Sequence, residues 1–473
     1  MKPPSTLHTY LLGSVAAMAG LLFGFDTGVI SGAQSFIFET FGISGDDVEV
    51  SALKGFIVAV VPLGALLGAM GSGLCAQSFG RRRSLMYTAL IFLIGTLTAA
   101  FAPSIHWIIT GRLFMGLAIG ISAMIAPMYL SEISPADIRG AIIFLFQLAI
   151  TIGLLGAFTT NLIFTLWIPD PTLNWRWMFG VGIIPSALLF IGMLQMPYSP
   201  RWLILKKRDS EAEATLKTLL GKEDIQLELN EIHESVEREG GRFFELFSRR
   251  LFPLLLMAFA LFMFQQLSGI NAIMYYGPLV FEQAGLGDTG KLIAQMAMGV
   301  VNVGMTVIGV WIIDKCGRRP LLFIGFIGMI ICLTVLGLLL GNQSQDSENT
   351  FFAITSVLCF IGFFAISLGG VPYIIMSEVF PLKVRAHGMA IASCANWAFN
   401  MFVSETFDIF RTQIGMGSTF LFYAICTTIG LCVAWRFVPE TKNRPLEEIE
   451  SNLYSGKPLR RLGDAPGNAP THN

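Results

Sequence analysis

Charge is scarce in this chain. Only 13% of its 473 residues are Asp, Glu, Lys or Arg, and they nearly cancel to a net charge of −1. A soluble domain carries roughly 25% charged residues, so a soluble globular protein is excluded, and a chain without basic excess is not expected to bind nucleic acid. Histidine is thin as well. There are five, and His8, His106, His233 and His387 are peripheral to the apolar runs. No Ser/His/Asp constellation, metal-ligand cluster or phosphate-cradling glycine loop is present, so we expect neither an enzyme nor a metal nor an organic cofactor. The cysteines at 75, 316, 332, 359, 394, 426 and 432 lie in or beside apolar runs, without metal spacing or clustering in an external loop, and no disulfide is expected. The first apolar run lacks a small-residue cleavage signal and reads as a retained helix.

Apolar sequence is abundant instead. Hydrophobic residues make up 54% of the chain, with 39 Phe and 49 Gly, and the mean hydropathy is +0.66. Runs of roughly 20 apolar residues, enough to cross a bilayer, are centred near residues 20, 65, 93, 119, 152, 187, 264, 302, 330, 364, 396 and 428. The expected fold is an all-α membrane protein with twelve transmembrane helices. The long hydrophilic segment, 198–248, carries mixed charge, and Ser210–Glu213 reads as a capping box ahead of Leu216, Leu219 and Leu220 on one helix face. We therefore expect a first six-helix half over 1–197, a small cytoplasmic helical insert over 198–248, a second half over 249–440 and a tail over 441–473.

Lys and Arg concentrate on alternate loops: Arg81–Arg83, Arg139, the insert, Lys315, Arg318, Arg319, Lys383, Arg385 and the tail. The opposite loops hold few, Lys54, Arg176, Lys291 and Arg411 among them. Positive loops stay inside, so both termini and the insert are expected in the cytoplasm, with the protein in the cytoplasmic (inner or plasma) membrane. The sequon at Asn342-Gln-Ser344 then falls outside and reads as chance. The halves repeat each other: FGRRRSLM is echoed by CGRRPLLF, and the SE…R of Glu132–Arg139 recurs 246 residues later at Glu378–Arg385. Parallel six-helix halves with a midplane site between them are a transporter architecture.

The stretch Gln265–Gly277, QQLSGINAIMYYG, places amides and phenols inside an apolar run. On a helix, Gln265, Ser268, Ala272 and Tyr276 share a stripe flanked by Gln266 and Asn271. Such groups must face a partner or a wet cavity. Uncharged amides beside aromatics suit a neutral, hydroxyl-rich ligand, whereas an anionic one would need Arg or Lys. Interhelical hydrogen bonding is the competing reading. Two charges, Asp26 and Arg112, also lie inside apolar spans, where each costs about 2.5–3.5 kcal/mol at a helix centre.

Ten motifs in order, GFDTGVISGA (24–33), FGRRR (79–83), GRLFMG (111–116), YLSEISP with IRG (129–140), SPRWL (199–203), QQLSGINAIMYYGP (265–278), DKCGRR (314–319), SEVFPLKVR (377–385), NW (396–397) and PETKN (439–443), resemble the sugar porters of the major facilitator superfamily. The resemblance runs the whole length and includes both proton symporters and facilitative carriers. It implies the major facilitator fold and alternating-access transport of a monosaccharide, hexose or pentose. It also implies protons as the coupling ion and the sugar, protons and membrane lipid as partners, in a functional monomer. Asp26 and Arg112 would serve proton coupling, since symporters of this family carry Asp and Arg there. Substrate binding would fall to Phe23, Gln147, Gln265, Gln266, Asn271, Asn302, Tyr373, Asn396 and Trp397, with Tyr275 and Tyr276 as a gate. A cytoplasmic latch between the halves would involve Arg81, Arg82, Glu132, Arg139, Asp314, Arg318, Arg319, Glu378 and Arg385, and simple positive-inside anchoring is the plainer alternative. Three positions depart from the family: Gln77 and Tyr198 where a carboxylate or amide and a glutamate are usual, and Tyr373 where many members have Trp. The alternatives are a facilitative uniporter with a structural Asp26, and a non-transporting sugar receptor, which the short tail disfavours.

Overall fold

The computed structural model describes residues 6–135, 138–221, 225–238, 243–342 and 347–464, without the side chains of 6–8, 235–238 and 314. The first half contains α1 (Thr6–Thr40), α2 (Val48–Ser78), α3 (Gly80–Ala100), α4 (Ile105–Ile133), α5 (Arg139–Trp167), and α6 (Pro171–Gly180) with α7 (Ile183–Gln195) as one broken span. Three short helices follow: α8 (Pro200–Leu205), α9 (Asp209–Leu220) and α10 (Gln226–Arg238). The second half contains α11 (Phe252–Leu267) with α12 (Ile270–Gln283), α13 (Asp288–Cys316), α14 (Arg318–Gly341), α15 (Ser347–Ile366) with α16 (Val371–Val379), α17 (Arg385–Ile414) and α18 (Met416–Phe437), before α19 (Leu446–Tyr454). Among the described residues there is no strand.

Among the described residues, eleven of the expected spans are long and apolar enough to cross a membrane. The twelfth, α17, has 30 residues and the length to do so. It falls short in hydropathy because it carries Ser393, Asn396, Asn400, Ser404 and Asp408, all buried. The polar residues that make α17 interesting are what weaken it as a membrane signal.

Small residues set the helix spacing. On α1, Gly20, Gly24, Gly28 and Gly32 recur every four residues and face α5. An added Cβ at Gly24 would lie 1.8 Å from the Ile150 carbonyl oxygen. Gly64 and Gly68 of α2 and Gly116 and Gly120 of α4 interlock in the same way. Lipid supplies no hydrophobic drive between helices, so close backbone contact takes its place. This packing pairs α1 with α5 and α2 with α4; α1 also packs against α4, where Asp26 meets Arg112.

Two spans break where polar groups gather. Gly269 adopts φ +81 between α11 and α12, a left-handed conformation that favours glycine. There a Cβ would also strike the Tyr423 ring at 2.6 Å. The Ser367–Gly370 segment separates α15 from α16. Broken helices are tolerated at membrane depth where they are buried in protein or line a cavity.

In the insert, the helix begins at Asp209, not after Ser210. The N-cap position is Arg208, which has no capping side-chain bond and instead pairs with Glu211 at 2.5 Å. Leu216 and Leu219 are buried as the pattern required. The capping-box expectation is thus corrected: an ion pair replaces the hydroxyl cap. Residues 343–344 of the sequon lie outside the described residues.

Candidate functional site

Proline 62 lies inside α2 and cannot donate to the carbonyl four residues back, leaving Val58 O without its helical partner. Arg112 of α4 fills that gap. Its Nε donates to Ile57 O at 3.0 Å and an Nη donates to Val58 O at 3.4 Å. The other Nη lies 3.7 Å from Asp26 Oδ1. Both side chains are fully buried. Neither Asp26 oxygen has a hydrogen bond, and neither has that Arg112 Nη. The pair is therefore ionic in arrangement but loosely seated, and the carboxyl oxygens remain able to take a proton. From the other half, Tyr275 lies beside this pair with its hydroxyl facing Thr27 and Asn400.

The amides of the second half form two hydrogen-bonded pairs at the two helix breaks. Gln265 donates to Leu368 O, in the α15–α16 break, and accepts from Asn396 Nδ2 of α17 at 2.5 Å. Asn271 Nδ2 donates to Gln266 Oε1 at 2.5 Å. Gln266 Nε2 and Asn271 Oδ1 are left as one donor and one acceptor, the combination that vicinal hydroxyls require. Trp397 packs at 5.2 Å from Phe23 of α1, so an aromatic wall from both halves flanks the amides. Gln147 and Asn302 make no hydrogen bond among the described residues, and their polar atoms are not sealed from solvent. No described contact joins them to either pair. Tyr373 stacks edge-on against Phe262 at 4.6 Å and is 38% exposed.

The two expected gate residues separate. Tyr275 faces α1, where Gln34 Nε2 donates to its carbonyl at 2.9 Å. Tyr276 turns the other way: its hydroxyl donates to Ser404 O at 3.0 Å and its ring lies 4.6 Å from Phe407. It anchors α12 to α17 inside the second half. The helix kinks at Tyr276, two residues before Pro278.

Contacts between the halves gather at the end opposite the basic loops. Gln295 donates to the Ser31 hydroxyl, and Ser51 meets Thr412 at 3.4 Å. Arg411 bridges Asp408 of its own half at 2.9 Å and Asp46 of the other at 3.2 Å. Sequence reasoning missed these. Gln34 and Gln295 are amides in apolar runs, and Asp408 is a carboxylate near the end of one, so a signal was available.

Among the described residues, the pairs at the basic end lie within each half. Arg81 pairs with Glu132 at 2.7 Å, and Ser199 donates to the same carboxylate at 2.5 Å. Arg82 donates to Met193 O and Leu194 O at the end of α7. In the second half Arg318 pairs with Glu378 at 2.9 Å, Thr441 donates to Glu378 at 2.5 Å, and Arg319 donates to Trp435 O. Arg385 bonds Phe380 O, and Arg139 is exposed. The side chain of Asp314 lies outside the described residues. In this conformation the described pairs clamp helix ends within each half, cations meeting the carbonyl ends of helices where the dipole favours them. Tyr198 also takes a definite place. It stacks on Trp202, and the Arg82 guanidinium sits 4.8 Å over its ring, so a cation–π contact stands where a carboxylate was expected.

These pairs make one prediction. Glu378→Gln removes the anion shared by Arg318 and Thr441, at a cost of about 1–3 kcal/mol. The basic end of α14 should loosen, and Cys316, exposed two residues before Arg318, should react faster with a maleimide in a variant retaining only that cysteine. An unchanged labelling rate would leave positive-inside anchoring as the sufficient account of these residues.

Known proteins are similar to this chain over nearly its whole length. The sugar (and other) transporter profile matches residues 12–453, and the chain belongs to that family. It is 39% identical to the galactose-proton symporter of Escherichia coli K12 over 462 residues, 96% of each chain. It is 37% identical to a D-xylose transporter of Levilactobacillus brevis, covering 96% of this chain and 97% of that one. Among solved structures, the proton:xylose symporter XylE bound to 6-bromo-6-deoxy-D-glucose superposes with a TM-score of 0.81 at 31% identity, covering 95% of this chain and 99% of that one. The fold is the major facilitator fold of that transporter, in a multi-pass integral membrane protein.

Proposed function

We propose that this protein carries a monosaccharide, hexose or pentose, together with a proton across the cytoplasmic membrane by alternating access, as a monomer with its basic loops and both termini in the cytoplasm. The observation that carries the coupling is the Asp26–Arg112 pair: buried, 3.7 Å apart, with both carboxyl oxygens lacking a hydrogen bond. Similarity to proton symporters for galactose and arabinose supports the same reading. Protonation neutralises Asp26 and releases the Coulomb attraction to Arg112. Tyr275 of the opposite half is close enough to be coupled electrostatically to both groups, so a change in their charge is felt at the α1–α12 contact. A proton shifts the carrier only through different affinity for its two states, and a contact made between the halves in one state provides that difference. Sugar hydroxyls bond Gln266, Asn271 and Asn396, with Gln147 and Asn302 from the facing spans, and Trp397 and Phe23 cover an apolar sugar face. Gln265 positions Asn396. With the halves joined at the outer end, this conformation faces inward.

A static ion pair supports the uniporter reading, and one experiment separates the two. Proteoliposomes are loaded without a proton gradient and given galactose, glucose, xylose or arabinose outside. A symporter alkalinises the exterior as sugar enters. Sugar entry without proton movement would establish the uniporter and leave Asp26 structural.

The binding residues make a second prediction. Gln266→Ala and Asn271→Ala should each weaken sugar binding by about 1–3 kcal/mol, because each strands a hydroxyl or an amide in a dry site. Expression should stay near normal. Equilibrium binding by intrinsic tryptophan fluorescence reads the effect, and normal affinity in both variants would reduce this pair to interhelical bonding.

A further inference from the structure

The chain after α18 is folded back against the second half. Asn452 Nδ2 donates to Leu462 O at 2.8 Å and to Asp464 O at 3.1 Å. Leu462, Ile449 and Leu453 are buried. The backbone at Gly463 lies so close to Glu440 that a Cβ would fall 1.7 Å from its carbonyl oxygen. This docking brings Arg460 and Arg461 beside Arg319, Lys442 and Arg444 around a cavity of about 510 Å³.

The charge in this cavity is not balanced. Five cationic side chains face two carboxylates, Glu440 and Asp464. Glu440 is already committed: it accepts from the backbone N–H groups of Arg318, Arg319, Thr441 and Lys442 at 2.9–3.1 Å. Arg444 leans on Glu448 at 3.8 Å. Among the described residues Arg460, Arg461 and Lys442 have no carboxylate partner, and Arg319 Nε is buried with no hydrogen bond. Arg460 lies near enough to Arg319 to repel it. Arg460 and Arg461 are exposed, but the docked tail fixes their backbone beside the other cations of the cavity, against their mutual repulsion. Trp435, 55% exposed in the last turn of α18, lies under Arg460 at 5.3 Å. An exposed tryptophan at a span end belongs at headgroup depth.

We propose that this cavity is a binding site for a phosphate-bearing anion, which bridges Arg460 and Arg461 of the tail to Arg319 and Lys442 of the second half. Guanidinium forks match phosphate oxygens in geometry and charge. A phosphate here supplies the missing counter-charge, accepts from Arg319 Nε, and fastens the tail. It comes either from an anionic lipid headgroup or from a soluble phosphate compound. The site is independent of the identity of the transported solute.

The test uses the full-length protein purified in a neutral detergent. Two probes are offered: inorganic pyrophosphate, followed by calorimetry, and vesicles of phosphatidylglycerol diluted in phosphatidylcholine, with retained lipid counted by native mass spectrometry. Arg460→Glu combined with Arg461→Glu should weaken binding at least about tenfold, since each charged hydrogen bond lost is worth that much or more. Lys442→Glu should act in the same direction, and Arg249→Glu, exposed elsewhere on the basic side, should not. Unliganded melting temperatures of the variants check that the tail still docks. Binding of phosphatidylglycerol alone identifies a lipid headgroup, and binding of pyrophosphate identifies a soluble source. Failure of both probes to bind wild type, or equal binding by wild type and both variants, would overturn the site.

Discussion

Replacing Asp26 with asparagine should bring sugar accumulation to equality across the membrane while leaving exchange between equilibrated sides. One proton moving down 100 mV supplies about 2.3 kcal/mol, a concentration ratio of roughly 50-fold, and that ratio is what the variant should lose. Asparagine mimics the neutral carboxyl and cannot change charge during the cycle. The protein should still fold, because Arg112 keeps its bonds to Ile57 O and Val58 O when the carboxylate is gone. Binding should also persist, since Asp26 belongs to neither the Gln266–Asn271 nor the Gln265–Asn396 pair. Uptake should become insensitive to external pH. Counterflow and active uptake measured on the same proteoliposomes decide the matter. Continued accumulation by Asp26→Asn would move the coupling proton to another group.

The sequence made these residues legible for a simple reason. A carboxylate, a guanidinium or a pair of amides inside an apolar run stands out against hydrocarbon, so Asp26, Arg112, Gln265, Gln266 and Asn271 could be picked without a structure, whereas Asn396 came only from the resemblance. The same contrast gave the spans. It is weakest at α17, a span still marked by the apolar run near residue 396, because Asn396, Asn400 and Asp408 dilute the signal of the helix that carries them. It also could not assign partners. The repeated SE…R and GRR motifs revealed acidic and basic groups on one face, but whether Arg81 reaches across to the other half or back to Glu132 depends on how helices close in three dimensions. Gly80 and Gly317 illustrate the point. Both have positive φ, near +80 and +93. A Cβ on Gly80 would meet the Trp202 ring, and one on Gly317 would meet the Glu440 carboxylate, each at 2.8 Å. Those contacts pair the first motif with SPRWL and the second with PETKN, each inside its own half. The Asp46–Arg411–Asp408 bridge was hidden for the opposite reason. Loop charges look solvated until a fold brings them to a buried carboxylate.

Arg112→Ala should be the most damaging single change in the transport machinery. Three losses coincide. Asp26 becomes an unpaired buried charge, and breaking a buried pair from one side costs about 3–5 kcal/mol. Ile57 O loses a donor. Val58 O, which Pro62 leaves without its helical N–H, is orphaned, at about 1–3 kcal/mol. The sum rivals the whole stability of many domains, roughly 5–15 kcal/mol, so the variant should be recovered in low yield and aggregate on heating. Lysine should not rescue it, because a single ammonium cannot span two carbonyls of α2 and reach α1 as a planar fork does. The contributions can be separated by substitution. Asp26→Asn combined with Arg112→Ala removes the stranded charge and should restore part of the stability. Adding Pro62→Ala returns an N–H to α2 and should restore more, unless the helix kink is itself required. Apparent melting temperature and the monodisperse fraction in size-exclusion chromatography follow the series. If Arg112→Ala melts at the same temperature as Asp26→Asn, the guanidinium is not holding α1, α2 and α4 together, and its role reduces to the coupling step alone.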